Sequence, residues 1–161
     1  MIEFTISPAR SLDAGAVGNI LSVSNDLMPW LPRVHSAAEE IKYAGDMIEA
    51  GWVKVAKIDN KVVGFIARHE AEVYALYVLP EAQDKGIGTA LLEDAKGECD
   101  KLGLWSYEAN GVAAIFYELR GFVSVDRTNG SGNEAGLPDI RFEWTRKAPE
   151  FKPARGARKT G

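Results

Sequence analysis

Alternation opens the chain: Ile2, Phe4 and Ile6 share one face of a strand predicted over residues 2–7 and ended by Pro8. The period then changes. Leu12, Ala16, Ile20 and Val23 recur at helical spacing over residues 11–24, with Ser11 placed to cap that helix. Residues 25–32 hold Pro29 and Pro32 and so stay irregular, yet Leu27, Met28, Trp30 and Leu31 are too apolar for a solvated loop. They either close over the core or line a pocket. Ser36 and Glu39 form a capping box for a helix that runs to about Ala50, where Gly51 stops it. Residues 52–58 and 61–69 are β-rich runs joined by Asp59-Asn60, a pair suited to the positive φ of a tight hairpin. Residues 72–79 form the next strand. A turn with two glycines leads into a helical stripe of Ile87, Leu91, Leu92, Ala95, Cys99 and Leu102, ended by Gly103. A short strand over 104–108, a helix over 110–120 ended by Gly121, and a strand over 122–127 follow. A glycine-rich loop then leads to a last strand over 139–146, with Ile140, Phe142 and Trp144 alternating. The order β-α-α-β-β-β-α-β-α-β-β predicts an α/β fold with about seven strands in a mixed sheet and four helices on its faces. Residues 72–108 should form a right-handed parallel crossover.

Length and composition narrow the class without naming a function. At 161 residues, the chain has the size of one domain, and 46% hydrophobic with 26% charged residues is the balance of a globular protein. No apolar run is long enough to span a membrane, and the start of the chain lacks the basic, apolar pattern of a signal peptide. Cys99 is the only cysteine, so no intrachain disulfide forms, which suits a reducing cytoplasm; its place on the helical stripe reads as a buried thiol. The net charge of −4 hides an asymmetry. Five cations against Glu150 give residues 147–161 a net +4, leaving −8 on residues 1–146. The domain is therefore expected over 1–146 with a basic tail over 147–161. The acidic body argues against a general nucleic-acid binder, and the tail reads as a frayed end or as a contact for nucleic acid or anionic lipid.

The chemistry concentrates in the turn after the residue 72–79 strand. A strand, a Gly-rich loop and a helix N-terminus together present backbone N–H groups and a partial positive charge to an anion. Gln83-Asp-Lys-Gly-Ile-Gly-Thr89 is not a Walker loop, because no Gly-Lys-Ser/Thr follows at the required gap, nor the dinucleotide fingerprint, because Leu91 stands at the third glycine position. It suits a pyrophosphate bound without a metal, or simply a helix start with glycines for close packing. A second group lies along one helix face: Asn110, Ala113 and Tyr117 recur at three- and four-residue spacing and form a narrow polar track. By itself, Tyr117 reads first as a core tyrosine with a satisfied hydroxyl and only second as an acid.

Together these stretches resemble the GNAT acetyltransferases. Tyr77-Val-Leu-Pro-Glu-Ala-Gln-Asp-Lys-Gly-Ile-Gly-Thr-Ala-Leu-Leu92 is similar to the family's motif A, with its Gln/Arg-x-x-Gly-x-Gly/Ala core. Asn110, Ala113, Phe116-Tyr117 and Gly121-Phe122 are similar to motif B, and Val62-Val-Gly-Phe65 to the preceding strand, so the resemblance covers residues 52–127. It implies acetyl-CoA as co-substrate and no metal. Backbone groups of Tyr77 and Val78 would pair with the pantetheine arm. The amides of Gln83, Asp84, Lys85, Gly86, Ile87, Gly88 and Thr89 would hold the pyrophosphate. Asn110, Ala113 and Ala114 would flank the arm, with Tyr117 near the sulfur. Asp84 departs from the pattern, since many members have glycine or a basic residue there, and is expected to point outward.

The implied reaction moves an acetyl group from acetyl-CoA to the primary amine of a small molecule in a ternary complex. A protein N-terminus or lysine is the alternative acceptor, and a non-catalytic CoA-binding module the alternative of another class. The Val78 amide is the candidate oxyanion donor and Tyr117 the candidate general acid toward the departing thiolate. Glu72 is the candidate base, or else a solvated strand-end carboxylate. His69 ends a strand and reads as structural or exposed. Trp30, His35, Glu134 and Asp139 flank the expected acceptor cleft, as recognition groups or as packing and turn residues. No nucleic acid or membrane partner is expected, and a homodimer is compatible with the reading.

Overall fold

The computed structural model describes residues 3–147. Its elements are β1 (Thr5–Pro8), α1 (Ala14–Asp26), α2 (Ala37–Glu49), β2 (Val53–Ile58), β3 (Lys61–His69), β4 (Glu72–Val78), α3 (Ile87–Lys96), β5 (Lys101–Tyr107), α4 (Gly111–Leu119), β6 (Val123–Thr128) and β7 (Asp139–Thr145). This is the expected order. One mixed sheet runs β1-β2-β3-β4-β5-β7-β6, with β4 and β5 parallel and every other neighbour antiparallel. Period-2 burial sends alternate strand residues to opposite faces, and each face has its own core. Val63, Leu102, Leu104, Ile140 and Phe142 pack with α3 and α4, whereas Val53, Val55, Phe65 and Ala75 pack with α1 and α2. The basic tail lies outside the described residues, apart from Lys147.

Local chemistry explains most boundaries. Ser36 accepts from the Glu39 amide at 3.1 Å while the Glu39 carboxylate accepts from the Ser36 amide at 2.8 Å, completing the capping box of α2. Asp59 and Asn60 both have positive φ, as a two-residue hairpin requires. Two expectations shift. Ser11 does not cap α1: residues Ser11–Asp13 form a 3-10 turn in which the Asp13 carboxylate accepts from the Arg10 amide at 2.8 Å, and Leu12 is left exposed. The stripe through Leu102 is not one helix. Gly97 caps α3, and Leu102 enters the core as a strand residue alternating with Leu104 and paired with Trp144. Leu102 fits both periods, and pairing with β7 decides between them. Cys99 therefore sits in the connection, half-buried, where its thiol receives a hydrogen bond from Arg68 at 3.1 Å.

The feature that makes the site is a failure of pairing. β4 and β5 are in register only at Glu72 and Gly103. Against β3, the partners jump from Ala67–Ala75 to Arg68–Val73, so Tyr74 is an extra residue that bulges β4. Beyond this point the two parallel strands splay. Their closed end is clasped by Arg141 of β7, which crosses β5 to give a 2.8 Å hydrogen bond to the Glu72 carboxylate. Gly103 makes the crossing possible, since a Cβ there would stand 2.2 Å from Arg141 Nη2.

Candidate active site

The splay leaves one edge of β4 without a strand partner. Leu79 donates its amide to Val63 at 2.8 Å, so alternation along the antiparallel β3–β4 ladder turns the backbone groups of Tyr77 toward β3. The groups of Leu76 and Val78 then face the cleft. This corrects the expected pair: Tyr77 and Val78 cannot both present their backbone to one ligand, and Leu76 takes the place given to Tyr77. The Val78 amide remains directed at the cleft, while its carbonyl accepts from Gln83 Nε2 at 3.0 Å.

A cavity of about 710 Å³ fills the splay, lined by β4 from Val73 to Tyr77, β5 from Leu104 to Tyr107, and Asn110, Ala113 and Tyr117 of the α4 region. Asn110 is the cap of α4: its Oδ1 accepts from the Ala113 amide at 3.1 Å, and its Nδ2 points toward Met28 Sδ at 3.8 Å. Ala113 lines the cavity, whereas Ala114 packs against the core. Tyr117 is 8% exposed, with its ring packed edge-on to Phe116 and Phe122. Among the described residues, its hydroxyl has no protein hydrogen-bond partner. Burial raises its pKa well above the ordinary phenol value, with a smaller contribution from Tyr77. It stays protonated and available as a donor.

The glycine turn lies past the end of β4 and does not line this cavity. Gly86 precedes α3 with φ +83° and Asp84 has φ +63°, both left-handed. The amides of Ile87, Gly88 and Thr89 begin α3 and have no intrahelical acceptors. A Cβ on Gly88 would meet the Phe116 ring at an ordinary 3.5 Å, so packing within the protein does not demand that glycine. Asp84 is exposed, as expected. Arg120, which no sequence signal singled out, donates to Thr89 Oγ1 from Nε at 3.0 Å and Nη2 at 2.6 Å, and lies 3.8 Å over the Phe116 ring. It puts a cation beside the first turn of α3.

A second cavity, about 410 Å³, adjoins the first beneath the α1–α2 segment. Tyr43, Tyr74, Tyr77 and Tyr107 line it along with Glu40, His35 and Glu134. His35 Nε2 and the Glu134 carboxylate meet at 3.1 Å, joining the α1–α2 segment to the β6–β7 loop across the opening. The Glu134 hydrogen bond raises the His35 pKa, opposed by desolvation. Trp30 does not line either cavity; it packs edge-on to Tyr107 at 5.7 Å. Asp139 is buried and accepts from Thr128 and, at 3.2 Å, from Asn133, so it orders the β6–β7 loop at the cavity wall. Glu72 is corrected outright. Its carboxylate is engaged by Arg141 at the closed end of the splay and lines neither cavity, so it cannot reach an acceptor amine there. His69 stacks on Trp52 at 4.9 Å, away from both cavities.

Residues 49–124 match the family model of the acetyltransferase (GNAT) domain. Those 76 of the 161 residues are therefore similar to the GNAT acetyltransferase domain. It is 36% identical over 87 residues to the peptidyl-lysine N-acetyltransferase YiaC of Escherichia coli (strain K12), a match that spans 53% of this chain and 58% of that relative. The chain also superposes on the apo-form of YjaB from Escherichia coli, with a TM-score of 0.76 at 20% identity, covering 91% of this chain and 100% of YjaB. PaiA N-acetyltransferase of Thermoplasma acidophilum, solved in complex with coenzyme A, gives a TM-score of 0.68 at 20% identity over 89% of this chain and 99% of PaiA. At those identities, the structural likeness speaks of fold alone. The expected fold class is the one found. No helix among the described residues is long and apolar enough to cross a membrane.

Proposed function

We propose that this chain transfers an acetyl group from acetyl-CoA to the primary amine of a small molecule by direct attack in a ternary complex. One observation carries the reading. The unpaired backbone edge of β4 at Leu76 and Val78 runs from a helix N-terminus with free amides to a buried phenol that has no protein partner. A thin arm ending in a pyrophosphate fits that edge as an added strand. The neighbour solved with coenzyme A has the same fold, which supports the choice of cofactor.

Leu76 and Val78 would hold the arm, with Asn110 and Ala113 beside it. The amides of Ile87, Gly88 and Thr89, with Lys85 and Gln83, would receive the pyrophosphate. Acetyl-CoA supplies the activated acyl group; the protein supplies position and two donors. The Val78 amide aims a fixed dipole at the carbonyl oxygen, where negative charge builds as the C–N bond forms. Tyr117 gives its hydroxyl proton to the sulfur as the C–S bond breaks. No dedicated base is assigned, and the amine reacts in its neutral form.

Titrating the full chain with acetyl-CoA by calorimetry, then following thiol release across an amine panel, tests the proposal. Tight binding without thiol release from any acceptor would favour a non-catalytic module. Release only with lysine peptides would favour the second reading, protein acetylation, which the similarity to YiaC supports.

Two substitutions probe the cradle. Gly88→Ala should leave the melting temperature within about 2 °C yet weaken acetyl-CoA at least ten-fold, because the new methyl makes only ordinary contacts with Phe116 and Val78 but stands on the turn whose amides would hold the pyrophosphate. Asp84→Gly should tighten binding up to about five-fold by removing an exposed negative charge beside the phosphates, a screened effect of about 1 kcal/mol or less. Unchanged affinity in both variants would place the pyrophosphate elsewhere.

A further inference from the structure

All five tyrosines of the chain, from four different elements, converge on the two adjoining cavities. Tyr74, Tyr77 and Tyr107 border both, Tyr43 borders only the smaller, and Tyr117 only the larger. Among the described residues, none of their hydroxyls is hydrogen-bonded to protein. Burial pushes the Tyr77 phenol up to about 12, with Tyr107, Tyr43 and Glu40 adding to it, so these groups lie close enough to feel one another. Such a group offers ring faces and hydroxyl tips to whatever enters the two cavities.

The charges around it are lopsided. Asp26, Glu40 and Glu134 face the smaller cavity, and Asp139 is the one charged residue lining the larger. The cations are Arg33 and His35, and both are committed. Arg33 donates from Nη1 to Asp26, from Nη2 to Ser22 and Glu40, and from Nε to the His35 carbonyl. His35 is bound to Glu134. A carboxylate entering here would be desolvated with no uncommitted cation among the described residues of the lining to receive it. An ammonium would meet four tyrosines and carboxylates that outnumber the cations three to two, the acids being paired with Arg33 and His35. Partial desolvation of the site strengthens cation–π attraction. The volume of about 410 Å³ is that of a small-molecule site. The His35–Glu134 link ties the α1–α2 segment to the β6–β7 loop at the lining of this cavity.

We propose that the acceptor is a small primary amine carrying no acidic group, taken up as its ammonium into the tyrosine-lined cavity; the attacking nitrogen releases its proton to solvent and reacts as the neutral amine. The proposal rests on the acetyl-transfer reading. It predicts that removing a carboxylate from an otherwise identical acceptor makes it a better substrate.

The test uses the full chain, acetyl-CoA and matched pairs that differ by one carboxylate: cadaverine and lysine, tyramine and tyrosine, agmatine and arginine. A capped lysine peptide serves as a further arm. The carboxylate-free member of each reacting pair should show kcat/KM at least ten-fold higher. For the best amine, Tyr43→Leu should lower kcat/KM at least five-fold while Tyr43→Phe retains most of it, since the ring face and not the hydroxyl meets the cation. Tyr43 is half-exposed, so both variants should fold. Equal or faster reaction of the amino acids, faster reaction of the peptide, or no reaction with any amine despite tight acetyl-CoA binding would each overturn the proposal. Failure to bind acetyl-CoA in calorimetry would instead remove the acetyl-transfer reading beneath it.

Discussion

Tyr117→Phe is expected to lower kcat at least ten-fold while leaving the Kd for acetyl-CoA within about two-fold. The ring stays where Phe116, Phe122 and Phe142 hold it, so packing is preserved. Only the hydroxyl is lost, and among the described residues it has no hydrogen-bond partner. Deleting a buried polar group of that kind leaves stability unchanged or raises it by about 1 kcal/mol. A slower enzyme with an equal or higher melting temperature separates a catalytic role from a structural one. The pH profile adds a second check. An acid must be protonated to act, and burial raises the Tyr117 pKa above its ordinary value of about 10. Activity should therefore rise with pH as the amine is deprotonated and then hold level. Loss of the phenol proton comes only above the usual phenol range. A fall in kcat near pH 8, or full activity in the phenylalanine variant, would remove the role given to Tyr117.

The second large effect concerns the wall of the proposed acceptor cavity. Glu40 is buried on α2, yet accepts from Ser22 at 2.5 Å, Asn25 at 2.6 Å and Arg33 at 2.7 Å, so one carboxylate ties α1, α2 and the segment between them together. Removing one partner of a buried charged network costs about 3–5 kcal/mol. Arg33 is 37% exposed and keeps Asp26, which reduces the expected loss for Glu40→Ala to about 2–3 kcal/mol. In a chain of this size that is roughly 4–12 °C in Tm. Glu40→Gln, which keeps an acceptor oxygen, should lose less. Because the network holds the α1–α2 segment and not the glycine turn, acceptor KM should rise at least three-fold while acetyl-CoA affinity stays the same. A Tm change below 2 °C for the alanine variant would show that the network contributes little.

Much of the fold was legible because its signals are local. The Ser36–Glu39 box, the Asp59-Asn60 hairpin and the glycines at 51 and 121 each satisfy a backbone requirement within a few residues, and all stand as expected. The boundary errors arose where two local patterns competed. Leu102 satisfied the helical period and the strand period at once, and a distant strand, β7, broke the tie. The candidate groups Gln83–Thr89 and Asn110–Tyr117 could be named from sequence because each occupies a single turn or a single helix face.

The remainder of the site was hidden for the same physical reason in reverse. Its parts lie far apart in the chain, and no spacing connects Tyr43, Tyr74, Tyr77 and Tyr107. Glu72 looked free to act as a base until Arg141, 69 residues away, crossed Gly103 to occupy it. The sequence by itself determined the order of elements, the helix start that presents free amides and the presence of a phenol on the facing helix. Tertiary structure alone decided which backbone groups of β4 face the cleft. A bulge at Tyr74 and a single pair between β4 and β5 set that alternation, and strand pairing is a long-range choice that no short stretch of residues encodes.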